Sequence, residues 1–390
     1  MMEHKKRMDG YSGDEEENVV DRIDKSGPKK VFVTHDESIF YANDGQDKSW
    51  YADHENRLAK KGQGLSVMVS EYQCPCHGTM RDLRDLNNVK TSRQLFYPGV
   101  NREGYWQRDD MVKQLNEVIP LFEYLHPGCQ GVFVFDQSSN HNALPDDALY
   151  APRMTLRPKK VTEKDQHIFR CTFFYHASSN TTVRQPLYAP LSGSGENQQV
   201  EFIGSHQKIR MDRCIIQFLI AYHLSHVGIK MISQQRGLWI GSLKLTCNGE
   251  EDYTNHLCCA RHLLANQPDF RAQKTAIQEI VEFRGHIFDL YPKFHCECNW
   301  IERYWGAAKR EARMRCDYTF RLLKANIDDV LDTISPLQGP PTKIRRYNKR
   351  CWRYIEAYSQ GNDIVSATKV VEQFSSRKYK SHRRPVGSSD

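Results

Sequence analysis

Three carboxylates stand where the chain changes character. Asp36 follows the apolar run Val31-Phe32-Val33, Asp136 follows Val132-Phe133-Val134-Phe135, and Glu302 is the third residue past Asn299 in NWIERYWGAAKREAR. The β-branched and aromatic run between Gly131 and SSNH reads as a central strand covered on both faces. Ligands of open α/β sheets gather at the carboxyl ends of such strands. Side chains alternate along a strand, so only one of Asp36 and Glu37 can share a face with Asp136. Carboxylates brought together raise one another's pKa unless cations neutralise them. An all-oxygen cluster suits a pair of Mg²⁺ or Mn²⁺ ions, and two ions about 3.5–4 Å apart serve in-line displacement at phosphorus. Each acid also has a plain structural use: Asp136 can open an Asx-turn, and Glu302 can close a capping box on Asn299.

Two further groups carry possible ligands. CPCH (Cys74, Cys76, His77) and HCEC (His295, Cys296, Cys298) look like half-sites for zinc, but neither has the spacing of a finger, and ordinary buried or loop thiols are the favoured reading. The 390 residues include twelve cysteines and carry a net charge of +7. No apolar run approaches the ~20 residues that cross a bilayer, and MEHKKRMDG lacks the apolar middle of a secretory signal. A soluble intracellular protein with reduced thiols is expected. Positive charge is concentrated late, with 19 Lys/Arg against 10 Asp/Glu over residues 301–390. The runs KIRRYNKR (343–350) and RKYKSHRR (377–384), interleaved with Tyr347, Trp352, Tyr354 and Tyr379, suit phosphate contact and stacking. The candidate DNA-binding residues are Arg345, Arg346, Lys349, Arg350, Lys378, Lys380, Arg383 and Arg384; a solvated helix face is the bland alternative.

The elements that must position these residues follow from pattern. Residues 1–28 are polar, charged and aperiodic, so a disordered arm is expected. A strand to Thr34, a second from Ile39 to Ala42, a turn at Asn43–Gly45 and a strand over 64–72 suggest a meander. Met111, Val112, Leu115, Val118, Ile119 and Leu121 mark an amphipathic helix within 105–126, followed directly by the 131–135 strand. Residues 157–250 read as an insertion. Helices are expected from about Arg213 to His226 and from Pro268 to Phe283, then a strand within 285–292 and a helix over 299–313 capped by Asn299. This divides the chain into a core over 29–156 and 251–316, the insertion, and a basic helical extension over 317–390.

Taken together, VTHDESIFYAND (33–44), GLSVMVSEY, FVFDQSSNHNALPDDAL (133–149), CCARHLLANQPDF (258–270), YPKFHCECNWIERYWGAAKR (291–310) and KYKSHRR resemble the mariner-like DDE-superfamily transposases of eukaryotes, especially the fungal kind. The resemblance implies an RNase H-like fold: a mixed five-stranded sheet flanked by helices, with a long insertion before the last core strand and helix. It also assigns Asp36, Asp136 and Glu302 as catalytic, metal-binding residues for two Mg²⁺ or Mn²⁺ ions and leaves Glu37, Asp147 and Glu297 as bystanders. It further implies a nuclear enzyme that nicks double-stranded DNA at element ends and joins a 3′-hydroxyl to target DNA, with room for a homodimer. Two departures stand out: the long stretch between Asp136 and Glu302, and only about 28 unpatterned residues where such enzymes carry helix-turn-helix modules. The second leaves open an alternative, a catalytically idle, host-adopted or degenerate DNA-binding protein.

Overall fold

Apolar alternation in the strand from Lys30 onward decides which residue meets which layer. The structure, a computed structural model, describes residues 1–46, 60–163, 165, 168–176, 179–190, 224–247 and 258–373. It divides into two compact units, Met1–Ala143 with Ala276–Asp390 and Leu144–Thr275.

The first unit is built on a mixed sheet. Its strands are β1 (Lys30–Tyr41), β2 (Ser66–Cys74), β3 (Gly78–Thr79), β4 (Arg93–Phe96), β5 (Gln130–Phe135) and β6 (Ile287–Leu290). The order is β6-β5-β1-β2, with β3 and β4 both pairing with β2. β6, β5 and β1 run parallel, whereas β1–β2 and β2–β4 are antiparallel. The helices are α1 (Arg108–Leu125), α2 (Ala276–Phe283), α3 (Trp300–Met314), α4 (Phe320–Asp332), α5 (Thr342–Ser359) and α6 (Ile364–Gln373). Val31, Val33, Phe133 and Phe135 turn to one face, where Leu115, Ile119 and Phe122 of α1 and Val281 of α2 cover them. Phe32, Phe40, Val132 and Val134 turn to the other, under Trp300 and Tyr304 of α3, Leu331 of α4 and Trp352 of α5. This three-layer arrangement is consistent with an RNase H-like fold, with the two-residue β3 as a sixth strand beyond the five expected.

The first unit departs from expectation at both ends of β1. The break expected between Thr34 and Ile39 does not exist, because β1 runs unbroken for twelve residues. Ser38 through Tyr41 stay paired with Val69 through Ser66, so β1 outruns β5 rather than ending at Thr34. Residues 1–28 are ordered: a helical turn Met2–Lys5 precedes a hairpin of Gly10–Ser12 on Asn18–Val20. Met8 joins the core beside β1. The hydrophobic pattern is weak because this segment is held by polar contacts, including Asp24 N to Lys6 O at 2.7 Å and Lys30 N to Arg7 O at 2.9 Å.

The second unit extends beyond the expected 157–250 insertion on both sides. Leu149 and Met154 before it, and Ala260, Leu264 and Phe270 after it, share a core with Leu187, Ile229 and Ile232. Leu224–His226, expected to be helical, is a strand between Lys159–Lys160 and Tyr188–Pro190; the rest of the helix expected from Arg213 lies outside the described residues. The helix expected over 268–283 is two, Pro268–Arg271 and Ala276–Phe283, parted where the chain passes from one unit to the other.

Candidate active site

Parallel pairing of β1 with β5 sets Lys30 beside Gln130 and, step by step, Thr34 beside Val134. β5 ends at Phe135, so Asp136 leaves the sheet where β1 continues through Asp36. Period-two alternation places Asp36 on the face of Phe32, and Glu37 on the opposite face with Val33 and His35. The indole nitrogen of Trp106 donates to Glu37 at 3.0 Å.

The N-terminus of α3 is docked onto the Asp36 face. Thr34 donates its hydroxyl to Asn299 Oδ1 at 2.7 Å, and Tyr291 donates to Thr34 at 3.0 Å. Asn299 Oδ1 also accepts from Ile301 N at 3.3 Å, capping the helix. Glu302, in its first turn, is thereby held near the strand that carries Asp36. Deeper along α3, Tyr304 donates to Glu71 of β2 at 3.0 Å. The fully buried Glu71 pairs with Arg93 of β4 at 3.1 Å, and Arg93 continues to Asp328 and Asp332 of α4 at 3.0 and 2.9 Å. Burial opposes ionisation of Glu71, yet Arg93, Thr79 and Gln73 hold its pKa below the ordinary value.

The three acids differ in their electrostatic surroundings. Burial, then the charges of Glu302, Glu37 and Asp136, push Asp36 well above its ordinary pKa. Partial enclosure and the Asp136 charge raise Glu302, against a small opposing effect of Lys309. Asp136 goes the other way: partial burial would raise it, but the bond and charge of His141, with bonds from Ser138, hold it low. The Ser138 N to Asp136 Oδ1 contact of 3.3 Å is the expected Asx-turn. The Asx-turn and His141 orient the Asp136 carboxylate, and the group of possible ligands that does come within 4.8 Å here is His35, Glu37 and His141. Asp36, Asp136 and Glu302 lie within electrostatic reach of one another without forming a group whose ligand atoms all come within 4.8 Å.

His141 is the residue that sequence reasoning missed. Its Nδ1 meets Asp136, and its Nε2 lies 3.0 Å from His35 Nδ1. His35 Nε2 then meets Ser70 Oγ at 2.8 Å, and Ser70 donates to Gln114 of α1 at 2.7 Å. Burial, then the neighbouring His141, depress the His35 pKa far below its ordinary value. A buried polar chain therefore runs from α1 through the sheet to Asp136. The available signal was the histidine five residues past Asp136 within a Ser/Asn turn, and the alternation that buries His35.

Glu302 opens into a cleft of about 670 Å³ that is also lined by Arg303, Arg310, Arg346, Lys349 and Arg350. Arg346, Lys349 and Arg350 of the expected DNA-binding set stand there. Arg346 pairs with Glu15 and Lys349 with Glu16, both at 2.6 Å. Arg345 does not belong with them: it is 6% exposed, and its guanidinium donates to the carbonyls of Pro75, Glu16 and Glu17 at 3.1, 3.0 and 2.9 Å. The helix turns it inward, where it clamps the N-terminal hairpin and sits over the Tyr11 ring. Lys378, Lys380, Arg383 and Arg384 lie outside the described residues.

The two cysteine motifs fare differently. Cys74 gathers with His77 and with His126 of the α1 C-terminus, at 3.6 and 3.5 Å, whereas Cys76 accepts from Tyr11 at 3.4 Å. In HCEC, His295 bonds Glu297 at 2.7 Å, Cys296 is exposed and Cys298 is buried, so no half-site forms.

No protein-family profile matches the sequence, and no curated protein matches it. Among solved structures, the mariner Mos1 paired-end complexes with Mg and with Mn are similar over a part, each at 17% identity and a TM-score of 0.22. The match covers 29% of this chain and 30% of the Mos1 chain.

Proposed function

We propose that this chain is a divalent-metal-dependent DNA endonuclease and strand-transfer enzyme of the DDE transposase kind, acting on double-stranded DNA in the nucleus. The observation that carries the reading is geometric: Thr34, two residues before Asp36 on β1, is bonded to Asn299, whose helix carries Glu302 in its first turn, while Asp136 follows directly on β5, the parallel neighbour of β1. Carboxylates held in mutual repulsion at a sheet end are relieved by hard cations with oxygen ligands. The donor set fits such a group, with Asp36, Asp136 and Glu302 to hold Mg²⁺ or Mn²⁺. Two bound ions would supply activation of an attacking oxygen and stabilisation of the leaving one in phosphoryl transfer.

The chain's own residues have distinct tasks in this reading. His141, backed by His35 and Ser70, fixes the orientation and ionised state of Asp136. Thr34 and Asn299 fix the helix mouth that carries Glu302. Arg303, Arg310 and Arg350 line the same cleft as Glu302 and would neutralise phosphates that the acidic centre otherwise repels. Such contacts position DNA without reading its bases.

Incubation of supercoiled plasmid with the purified chain tests the proposal. Conversion to the nicked circle in Mg²⁺ or Mn²⁺, and none in chelator, is expected. A chain that binds duplex DNA without nicking it under any divalent cation would be the idle DNA-binding protein instead.

A further inference from the structure

The second unit holds a group of soft donors that the endonuclease reading does not use. Cys247, Cys258, Cys259 and His262 each present one ligand atom, all within 4.8 Å of one another. Cys258 Sγ lies 2.9 Å and Cys247 Sγ 3.6 Å from His262 Nδ1. A tetrahedral zinc with Zn–S near 2.3 Å requires sulfurs roughly 3.8 Å apart. The observed spread is therefore within about an ångström of a closed coordination shell.

Local structure explains why the four converge. Cys259 caps the helix Ala260–Ala265, its sulfur accepting from His262 N at 3.5 Å. One turn of that helix carries His262 back over Cys258 and Cys259. Cys247 arrives from the other side, because Ala260 N bonds Lys244 O at 2.9 Å and Arg261 N bonds Leu245 O at 3.2 Å. Ala260 and Leu264 anchor the helix in the unit's core, with Leu243 and Leu245 packed against it. Both halves of the group are thus fixed by backbone pairing and apolar packing, independently of any contact among the sulfurs.

We propose that Cys247, Cys258, Cys259 and His262 form a structural zinc site that closes the second unit. Three thiolates and an imidazole fill all four positions, leaving none for substrate, which is the pattern of a structural rather than a catalytic zinc. Binding would release the three thiol protons and contribute directly to folding of the unit. Cys74, His77 and His126 offer only three donors and carry no such closed shell.

Zinc content of the full chain, purified under reducing conditions and measured by elemental analysis, tests the site. The expected result is one equivalent of zinc that survives Cys74→Ser and is lost in the double variant Cys247→Ser/Cys258→Ser. Cobalt loading should give the visible bands of a tetrahedral ion with thiolate charge transfer, diminished in the same double variant. His262→Ala removes one of the four ligands and should weaken zinc binding, and His262→Cys should restore it, which an unfolded unit could not do. Zinc at buffer level in the wild type, an equivalent indifferent to Cys247 and Cys258, or a disulfide between these cysteines in the reduced preparation would each overturn the assignment. None of these readouts depends on DNA cleavage, so the site stands or falls apart from the endonuclease reading.

Discussion

Among single residues, Asp36 makes the sharpest testable statement through its ionisation. Its pKa in the folded chain is raised from an ordinary 3.8 by burial and by three acidic neighbours. Between the ordinary value and the raised one the folded state holds a proton that the unfolded state has released, so stability is lost as pH rises through that window. Asp36→Asn should remove this loss, so the metal-free variant should melt higher than the wild type near neutral pH, with the difference shrinking toward pH 4. Mg²⁺ or Mn²⁺ competes with that proton, so the cation should raise the wild-type melting temperature more at pH 8 than at pH 5. A wild-type melting curve indifferent to both pH and cation would remove Asp36 from any metal site. The acid itself was legible because it follows an apolar run. His141 was not: its link to Asp136 depends on the Asx-turn geometry, which brings a residue five positions away back onto the carboxylate.

Strands and helices position these residues through two buried polar links. The first, Thr34 to Asn299, joins β1 to the cap of α3; the second, Arg93 to Glu71 and Tyr304, joins β4, β2 and the body of α3. Glu71→Ala leaves Arg93 paired with Asp328 and Asp332 but strips the buried donors of Tyr304, Thr79 and Gln73 of their acceptor, and should cost about 1–3 kcal/mol in denaturant unfolding. A cost under about 1 kcal/mol would mean the pair is dispensable to the fold. Most core elements could be read from periodicity, since β2, β5, β6, α1 and α3 have one or two faces that must be apolar. The long β1 was not read correctly because Asp36 and Glu37 interrupt the apolar pattern, and only pairing with β2 shows that the strand continues. Glu71 and Arg93 gave no signal either, because a charge in a strand reads as exposed until its partner across the sheet is known.

Across the molecule as a whole, the positive charge of the C-terminal region is partly neutralised internally. Glu15 and Glu16 of the N-terminal segment pair with Arg346 and Lys349, while Arg345 is enclosed beneath them. Composition alone could not separate these uses, because all three bases sit in the same run and only helix phase turns Arg345 inward. Arg345→Ala strands three carbonyls and should destabilise the chain by about 2–4 kcal/mol. Replacing the exposed Arg310 should instead leave melting nearly unchanged, and replacing Arg303, Arg310 and Arg350 together should flatten the dependence of log affinity on log salt by about 0.9 for each phosphate no longer neutralised. An unchanged slope would send the search for the DNA surface elsewhere.

If Asp36, Asp136 and Glu302 act as one metal-dependent centre, plasmid nicking by matched variants reads it out most directly. Asp36→Asn, Asp136→Asn and Glu302→Gln should each reduce Mn²⁺-dependent nicking to background while duplex binding, measured on the same preparations, stays within a fewfold of the wild type. Nicking at the wild-type rate that survives any one of these three substitutions would rule out a shared centre.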